Sequence, residues 1–187
     1  MWRPSVIKLI SGLAAVLGLL LLSFLGSCSG PTKETVLIPD NFEGEFRIVY
    51  GEKCGLNPKM ERGRRVLEIP QNGLLIIQQE FEAGIIDRQY YIFDSDFNRA
   101  KINQLGDYEE RKTRRPGVLM RGPGSIEGAM PDGGLSTESP LAIHFTDFTI
   151  FNQDTTTITE RERDKLHQRF DSVTTELVMK CRKTSRQ

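Results

Sequence analysis

Thiol and imidazole side chains, which could attach a lipid, form a disulfide or bind a metal, are few in this chain of 187 residues. The cysteines are Cys28, Cys54 and Cys181, and the histidines are His144 and His167. Zinc sites use pairs of Cys or His only a few residues apart, and no such pair occurs here. A Ser or Cys nucleophile needs a basic partner, and both histidines lie among apolar residues. We therefore predict no metal site, no cofactor and no catalytic residue of these types.

The first 27 residues have the three-part pattern of a secretory signal. A basic segment ends at Lys8, a largely apolar run covers residues 9–25, and the small residues Gly26 and Ser27 follow. The small residues are what a signal peptidase requires before its cleavage site. The pattern predicts a cleaved signal at residues 1–27 and export of the remaining chain.

The residue after the signal points to a lipid anchor. Leu25-Gly26-Ser27-Cys28 resembles the lipobox of bacterial lipoproteins, in which the Cys thiol forms a thioether with diacylglycerol and becomes an acylated N-terminus. The resemblance implies that Cys28 carries the lipid and palmitate-type acyl chains, and that the three preceding residues are recognised by the signal peptidase. Two alternatives remain. One is an uncleaved signal anchor, because 17 apolar residues lie at the short edge of what spans a bilayer, and the other is an incidental cysteine after an ordinary signal.

The compartment follows from this resemblance. Ser29 replaces the Asp that retains some lipoproteins in the inner membrane, so we expect the outer membrane, with the domain facing the periplasm or the cell surface. Residues 28–35 read as the lipidated cysteine and a polar tether. In an exported domain disulfides persist, and the remaining pair, Cys54 and Cys181, is predicted to form one.

The charge balance excludes one class of function. Lys and Arg number 25 and Asp and Glu number 25, and removing residues 1–27 leaves 23 basic and 25 acidic side chains. A slightly acidic domain does not have the basic field of a nucleic-acid-binding protein. The expected partners are the membrane, through the lipid, and an envelope protein or an anionic ligand.

The exported chain reads as one mostly β domain, residues 36–183, with a C-terminal amphipathic helix. Short apolar segments with β-branched and aromatic residues, separated by turn residues, predict strands at 45–50, 66–69, 74–79, 89–93, 101–105 and 142–151. In the last segment the apolar alternation moves from odd to even positions after Asp147, which suggests a β-bulge or two halves facing different layers. We expect an antiparallel β-sandwich or a small barrel-like domain.

The helix is predicted at residues 160–182. Thr159-Glu160-Arg161-Glu162 fits a capping box, and apolar residues recur at helical spacing: Leu166, Phe170, Val173, Leu177 and Cys181. These five side chains are expected to form the buried face of the helix.

Residues 106–140 interrupt this pattern. Ten of the 25 residues from 116 to 140 are Gly or Pro, which argues against a central strand. The segment is predicted to be a flexible insertion or a functional loop.

Two motifs combine structural residues in a recognisable order. They are Ile38-Pro39-x-x-Phe42-x-Gly44-x-x-x-Ile48-x-Tyr50-Gly51 and Ile69-Pro70-x-x-Gly73-Leu74-Leu75. They resemble the signature of a family of bacterial envelope lipoproteins known only as a domain of unknown function, over residues 37–105. The resemblance implies a lipoprotein architecture and supplies no catalytic residues.

The other candidate sites have simpler explanations. Asp94, Asp96 and Asn98 have the spacing of a calcium loop, but Arg99 and Leu105 occupy the positions that need Gly and Glu, so a hairpin turn is expected. The basic residues at 111–115, with Arg121 beyond, read as a solvated loop that could meet an anionic headgroup. A weaker basic cluster comprises Arg62, Arg64 and Arg65.

The function predicted from the sequence is a lipid-anchored envelope domain with a binding, assembly or structural role and no enzymatic activity. The alternative is a periplasmic hydrolase that uses a pair of Asp or Glu side chains, with residues 106–140 as a lid.

Overall fold

The computed structural model describes residues 31–82, 84, 86–96, 98–129, 133–137, 139–151 and 160–185, with backbone alone for 160–166. The chain divides into two compact units, Met1–Pro31 and Thr32–Gln187, and all described elements belong to the second. The predicted signal, Cys28 and the capping residue Thr159 lie outside the described residues. Within them, no helix combines the length and the apolar character that a membrane span requires.

The described part contains eleven strands, one 3₁₀ turn and one α-helix. In chain order they are β1 (Thr32–Pro39), β2 (Gly44–Tyr50), β3 (Lys59–Glu61), β4 (Arg64–Glu68), β5 (Leu74–Ile76), β6 (Ile86–Phe93), β7 (Arg99–Leu105), the 3₁₀ turn (Glu109–Lys112), β8 (Gly117–Ile126), β9 (Gly128–Ala129), β10 (Leu135–Ser136), β11 (Ile143–Phe151) and α1 (Glu160–Thr184). Strands β9 and β10 form a small ribbon of their own.

The other nine strands form one curled, half-barrel sheet in the order β3-β4-β1-β6-β7-β8-β11-β2-β5. The mostly β class with a C-terminal helix is therefore confirmed. The sheet is mixed rather than purely antiparallel, because β1 runs parallel to both β4 and β6, β2 to β5, and β7 to β8.

The two faces of the sheet bury different residues, since side chains alternate along a strand. The inner face, lined by residues such as Val36, Ile48, Tyr90 and Phe148, encloses the main hydrophobic core. The outer face over β2 and β11 contacts α1 through a second core that includes Val49, Ile143, Phe145 and Val178. Helix α1 therefore covers one half of the outer face.

The alternation in β11 is explained by burial on both faces. Ile143 and Phe145 pack in the helix-side core, whereas Phe148 and Ile150 pack in the main core. The second sequence-based alternative, two halves facing different layers, is the correct one. The bulge lies in the neighbouring strand β8, where pairing passes from Gly122 directly to Met120 and skips Arg121.

Strand β8 corrects the prediction for residues 106–140. Its ten residues, Gly117–Ile126, pair with β7 and β11 inside the sheet. Two of these positions need glycine because large neighbours occupy the space that a side chain would fill. A Cβ on Gly124 would lie 2.7 Å from the ring of Phe145, and one on Gly117 would lie 2.7 Å from Leu105. The high Gly content therefore reflects close packing of a strand.

The tether is also shorter than predicted. Strand β1 begins at Thr32 and pairs along its whole length with β6, so residues 32–35, predicted as linker, are part of the sheet. A polar residue can be buried here because the Glu34 side chain, which is 2% exposed, forms an ion pair with Arg88.

Helix α1 spans slightly more than the predicted 160–182, and its buried face is rotated from the expected one. Thr174 and Val178 are fully buried, whereas Val173 is 39% exposed. Thr174 fits this position because its hydroxyl donates to the carbonyl of Phe170 and accepts from Arg47. The apolar spacing alone does not identify a buried threonine.

The predicted pairing of Cys54 and Cys181 is present in the structure, with the two Cα atoms 5.6 Å apart. The bond ties the C-terminal part of α1 to the loop after β2. The next residue, Arg182, adds two hydrogen bonds to the buried carboxylate of Glu52. A covalent bond and an ion pair therefore hold the same end of the helix.

Candidate functional site

A groove occupies the half of the outer sheet face that α1 does not cover. Two adjoining cavities of about 370 and 220 Å³ lie there, and both are lined by Glu61 and Arg99. The larger is also lined by Thr35, Arg62, Arg64, Gln89 and Tyr91, and the smaller by Leu37, Lys59, Val66, Glu68 and Phe93. The larger cavity is within the size range of small-molecule sites. We call the two cavities together the arginine groove.

An ion pair crosses the arginine groove. Arg99 Nη1 lies 2.7 Å from Glu61 Oε2, although β3 and β7 are separated by three strands in the sheet order. In a flat sheet four strand spacings amount to roughly 19 Å. The sheet must therefore twist and curl strongly to let these two side chains meet, and the hydrogen bond from Arg99 lowers the pKa of Glu61.

Arg64 forms a fixed wall of the groove. Its terminal nitrogens donate to the carboxylate of Asp87 and to the carbonyl oxygens of Glu34 and Asp87. These bonds lower the pKa of the Asp87 carboxyl. The Nε–H of Arg64 is buried and has no hydrogen-bond partner within the described part of the chain.

Arg62 is the guanidinium of the larger cavity that forms no ion pair with a described residue. It occupies the turn between β3 and β4 with a positive φ of 49°, and Gly63 follows with 75°. Two positive φ values are typical of a type I′ hairpin turn, in which Asn-Gly is the favoured sequence and other residues are strained. Its side chain forms no ion pair with any described residue, so the guanidinium at the rim of the groove remains open to a ligand.

The two cavities differ in chemistry. Arg62, Arg64 and Arg99 stand against one carboxylate, Glu61, in the larger cavity. The smaller cavity combines three apolar side chains, Leu37, Val66 and Phe93, with two cations and two carboxylates: Lys59, Arg99, Glu61 and Glu68. The groove therefore has a cationic end and a mixed end, where apolar side chains lie beside balanced charges.

A buried polar cluster lies on the inner face of the sheet. Arg88 Nε lies 2.6 Å from Glu34 Oε2, and Arg88 Nη2 donates to the hydroxyl of Tyr50 at 3.1 Å. Burial raises the pKa of Tyr50 and that of Tyr90, the latter to about 12, while Arg88 opposes both shifts. Neutral phenols beside a closed ion pair offer no base near neutral pH.

The hydrolase alternative requires two carboxyl groups with pKa values moved apart. Among the described residues, each carboxyl group with a perturbed pKa has a lowered one: Glu61, Glu82, Asp87 and Asp94. Hydrogen bonds from Arg99, Thr32, Arg64 and Asn98, respectively, are the main causes. A lowered pKa maintains a carboxylate and does not produce a proton donor. The lid of this alternative is wrong for residues 117–126, which form β8.

Most of the other residues that the sequence suggested as candidate sites form contacts that stabilise local structure. The basic residues of 111–115 are largely neutralised locally: Lys112 pairs with Glu109 and Arg114 with Glu110. Arg111 stacks on Tyr108, 3.5 Å from the ring centroid. This loop lies outside the groove, and its local pairing agrees with the solvated loop that the sequence predicted.

The acidic motif after β6 is the predicted hairpin turn. Asp94 Oδ1 accepts hydrogen bonds from the backbone N–H groups of Asp96 and Asn98. Asn98 also donates from its side chain, which lowers the pKa of Asp94. No group of three or more potential metal ligands occurs in the part of the chain that the structure describes.

The two histidines and the remaining candidate arginines also occupy defined positions in the fold. His144 is exposed on β11, and His167 Nδ1 lies 3.9 Å from Asp147 Oδ2. Arg121 pairs with Glu45, and Arg65 pairs with Glu82. None of these side chains lines the arginine groove.

Arg99, Gln89 and Tyr91 are groove residues that were not predicted from the sequence. The sequence signal that could have identified Gln89 and Tyr91 is the alternation along β6. Its odd-numbered residues Gln89, Tyr91 and Phe93 lie on the face opposite to the core residues. What the sequence could not show is that β3 and β4 fold over this face.

The two signature motifs lie side by side. Each ends a strand of the parallel pair β1–β4 in a tight turn, with Phe42 N–H donating to Pro39 O and Gly73 N–H donating to Pro70 O. A Cβ on Gly73 would lie 3.1 Å from the Phe42 ring and 2.9 Å from the carbonyl oxygen of Glu45. The second motif therefore needs glycine because the first motif packs against it.

A family model built for a family of unknown function (DUF6843) matches residues 30–160. The chain belongs to this family. The match covers β1 through β11, so both signature motifs and all residues of the arginine groove lie within the family domain. The family resemblance seen in the sequence is confirmed as membership of an uncharacterised family.

A solved structure of similar fold is a protein from Bacillus anthracis, a crystal structure at 2.75 Å resolution named "Putative Lipoprotein". The TM-score is 0.53 at 16% sequence identity, and the match covers 79% of this chain and 96% of the other. At this identity the similarity concerns the fold. No curated protein matches the chain.

Proposed function

We propose that this member of the DUF6843 family is a lipid-anchored cell-envelope protein whose β domain binds a ligand without catalysing a reaction. The observation that carries the binding role is the arginine groove, a concave site with an unpaired guanidinium at its rim. Its lining is mostly charged and polar, and three apolar side chains lie in the smaller cavity.

Two observations support the anchor. The sequence Leu25-Gly26-Ser27-Cys28 places a thiol directly after the signal, and the Bacillus anthracis protein of similar fold is named as a lipoprotein. Three residues separate Cys28 from the start of β1. Two or more acyl chains give lasting membrane attachment, and we place the domain at the outer membrane, facing the periplasm or the cell surface.

The anchor is tested by fractionation and by mass spectrometry of the N-terminal peptide. We expect the protein to partition into detergent and the peptide starting at Cys28 to carry acyl mass. Cys28→Ala should abolish both, while Ser29→Ala should change neither. If the mature Cys28→Ala protein is still fully membrane-bound, the lipid anchor is wrong.

The binding role is tested with a photo-reactive amino acid in the membrane-bound protein. At position 89, inside the groove, we expect an adduct with an envelope component after illumination. At position 104, an exposed glutamine on β7, we expect none, which makes it the matched control. Equal labelling at the two positions, or none at position 89, would argue against a groove ligand.

A further inference from the structure

The charges in the groove indicate which ligand it accepts, if the binding role proposed above holds. In the larger cavity three guanidinium groups face one carboxylate. Arg99 neutralises that carboxylate, and Asp87 outside the cavity pairs with Arg64. The charge of Arg62 remains, so the cationic end has an excess of about one positive charge near neutral pH.

The backbone at Arg62 strengthens this assignment. A positive φ in a residue other than Gly, Asn or Asp is strained, and such strain concentrates at functional positions. Asn would relieve the strain in a type I′ turn, but it would remove the guanidinium from the rim. The sequence holds an arginine where the turn geometry favours asparagine.

The mixed end restricts the ligand further. Leu37, Val66 and Phe93 line the smaller cavity, beside charged groups whose signs balance. An inorganic anion would leave these side chains in contact with water. A ligand that carries both an anionic group and an apolar group would use both cavities.

We propose that the arginine groove binds a small organic anion, a phosphate ester or a carboxylate, with its charge at Arg62 and its apolar group along Leu37, Val66 and Phe93. The planar guanidinium of Arg62 suits two-point hydrogen bonding to either anion. Tyr91 and Gln89, whose side chains are hydrogen-bonded to each other at 3.1 Å, line the larger cavity.

The same chemistry occurs in lipid headgroups and in soluble metabolites. The turn that carries Arg62 lies at the end of the sheet where β1 begins, since Arg65 pairs with Glu34. In a protein anchored at Cys28 this end is connected to the membrane by three residues, which makes a lipid source testable.

The probe is phenyl phosphate, titrated calorimetrically against the lipid-anchored protein in phosphatidylcholine nanodiscs. We expect phenyl phosphate to bind at least tenfold more tightly than inorganic phosphate, and benzylamine not to bind. Arg62→Asn should weaken phenyl phosphate binding about tenfold, which corresponds to about 1.4 kcal/mol, while thermal stability is retained or raised. The control variant Arg114→Gln replaces a surface arginine outside the groove. It should bind phenyl phosphate like the unchanged protein.

Three results would overturn the inference: equal binding of benzylamine and phenyl phosphate, unchanged affinity in Arg62→Asn, or no binding of phenyl phosphate. Labelling at position 89 that persists with any of these results would show that the groove binds a ligand of other chemistry, so the two proposals fail separately. Nanodiscs with phosphatidylglycerol distinguish the sources. Competition with phenyl phosphate supports a lipid ligand, and undiminished binding supports a soluble anion in the same site.

Discussion

Arg47 and Asp147 are direct neighbours on β2 and β11, and their side chains form two hydrogen bonds, Nε to Oδ1 at 2.6 Å and Nη2 to Oδ2 at 2.8 Å. Arg47 is fully buried between the sheet and α1, with its guanidinium 3.5 Å from the ring centroid of Phe145. Asp171 of the helix accepts a further bond. Asp147 therefore interrupts the apolar face of β11 because it pairs with the buried Arg47.

Removing Asp147 should destabilise the domain strongly, because it leaves a buried guanidinium with only its helix partners. We expect Asp147→Ala to lower the free energy of unfolding by about 3 kcal/mol, measured by urea denaturation. The double variant Arg47→Met with Asp147→Leu should lose less, because no buried charge remains. A double variant that is less stable than Asp147→Ala would contradict this account.

The disulfide closes a long loop, since Cys54 and Cys181 are 127 residues apart in sequence. In the chain-entropy model, replacing both cysteines by serine costs about 5 kcal/mol of stability. Urea denaturation of the double variant, compared with the unchanged protein before and after treatment with dithiothreitol, measures the loss. The reduced protein should match the double variant, and a reductant without effect would show that the bond does not form.

Tyr90 should make the domain sensitive to alkaline pH. Burial raises its pKa from the ordinary 10 to about 12, so the folded protein retains a proton that the unfolded chain loses. The contribution is fully present below pH 10 and is lost as the pH rises towards 12. The midpoint of thermal unfolding, followed from pH 9 to pH 11.5, should therefore fall.

The variant Tyr90→Phe tests this assignment. Its alkaline loss should be smaller than that of the unchanged protein, with a residual contribution from Tyr50, whose pKa burial also raises. At pH 7 its stability should stay within about 1 kcal/mol of that of the unchanged protein, because the buried Tyr90 hydroxyl faces Arg88 without a well-formed hydrogen bond. An alkaline profile identical to that of the unchanged protein would exclude Tyr90 as its source.

Glu61 should oppose anion binding in the groove, because its carboxylate is the negative charge of the larger cavity. Glu61→Gln should raise the affinity for phenyl phosphate about three- to tenfold, in line with one charge removed at short range. Stability should change by less than about 1 kcal/mol, since the pair with Arg99 is largely exposed. Unchanged affinity in low salt would place the anion elsewhere.

The local elements were predictable because their signals are local. Alternation in 45–50, 89–93 and 101–105 indicates strands whichever neighbours they pair with, and residues 160–182 show helical spacing. Cysteine parity in an exported chain was sufficient to predict the pair Cys54 and Cys181. The Ile-Pro turns marked strand ends, and the structure shows them packed together.

The features that were not predicted from the sequence depend on partners distant in sequence. Strand β8 reads as a loop because its glycines make sense only against Leu105 and Phe145. Thr174 reads as a surface residue until Arg47 is placed beside it. Val173 was expected on the buried face of the helix because the prediction used apolar spacing alone. Apolar spacing does not detect a buried hydrogen bond such as that of Thr174.

The sequence by itself determined the signal pattern, the order of most elements and the residues available for a disulfide, because each depends on composition and short-range period. Tertiary structure alone decided the arginine groove. Glu61 and Arg99 meet across it only because twist and curl bring β3 and β7 together. That same curvature leaves the Arg62 guanidinium at the rim of the larger cavity without an ion pair among the described residues, although in the linear sequence its cluster is weaker than the one at 111–115, which reads as a solvated loop.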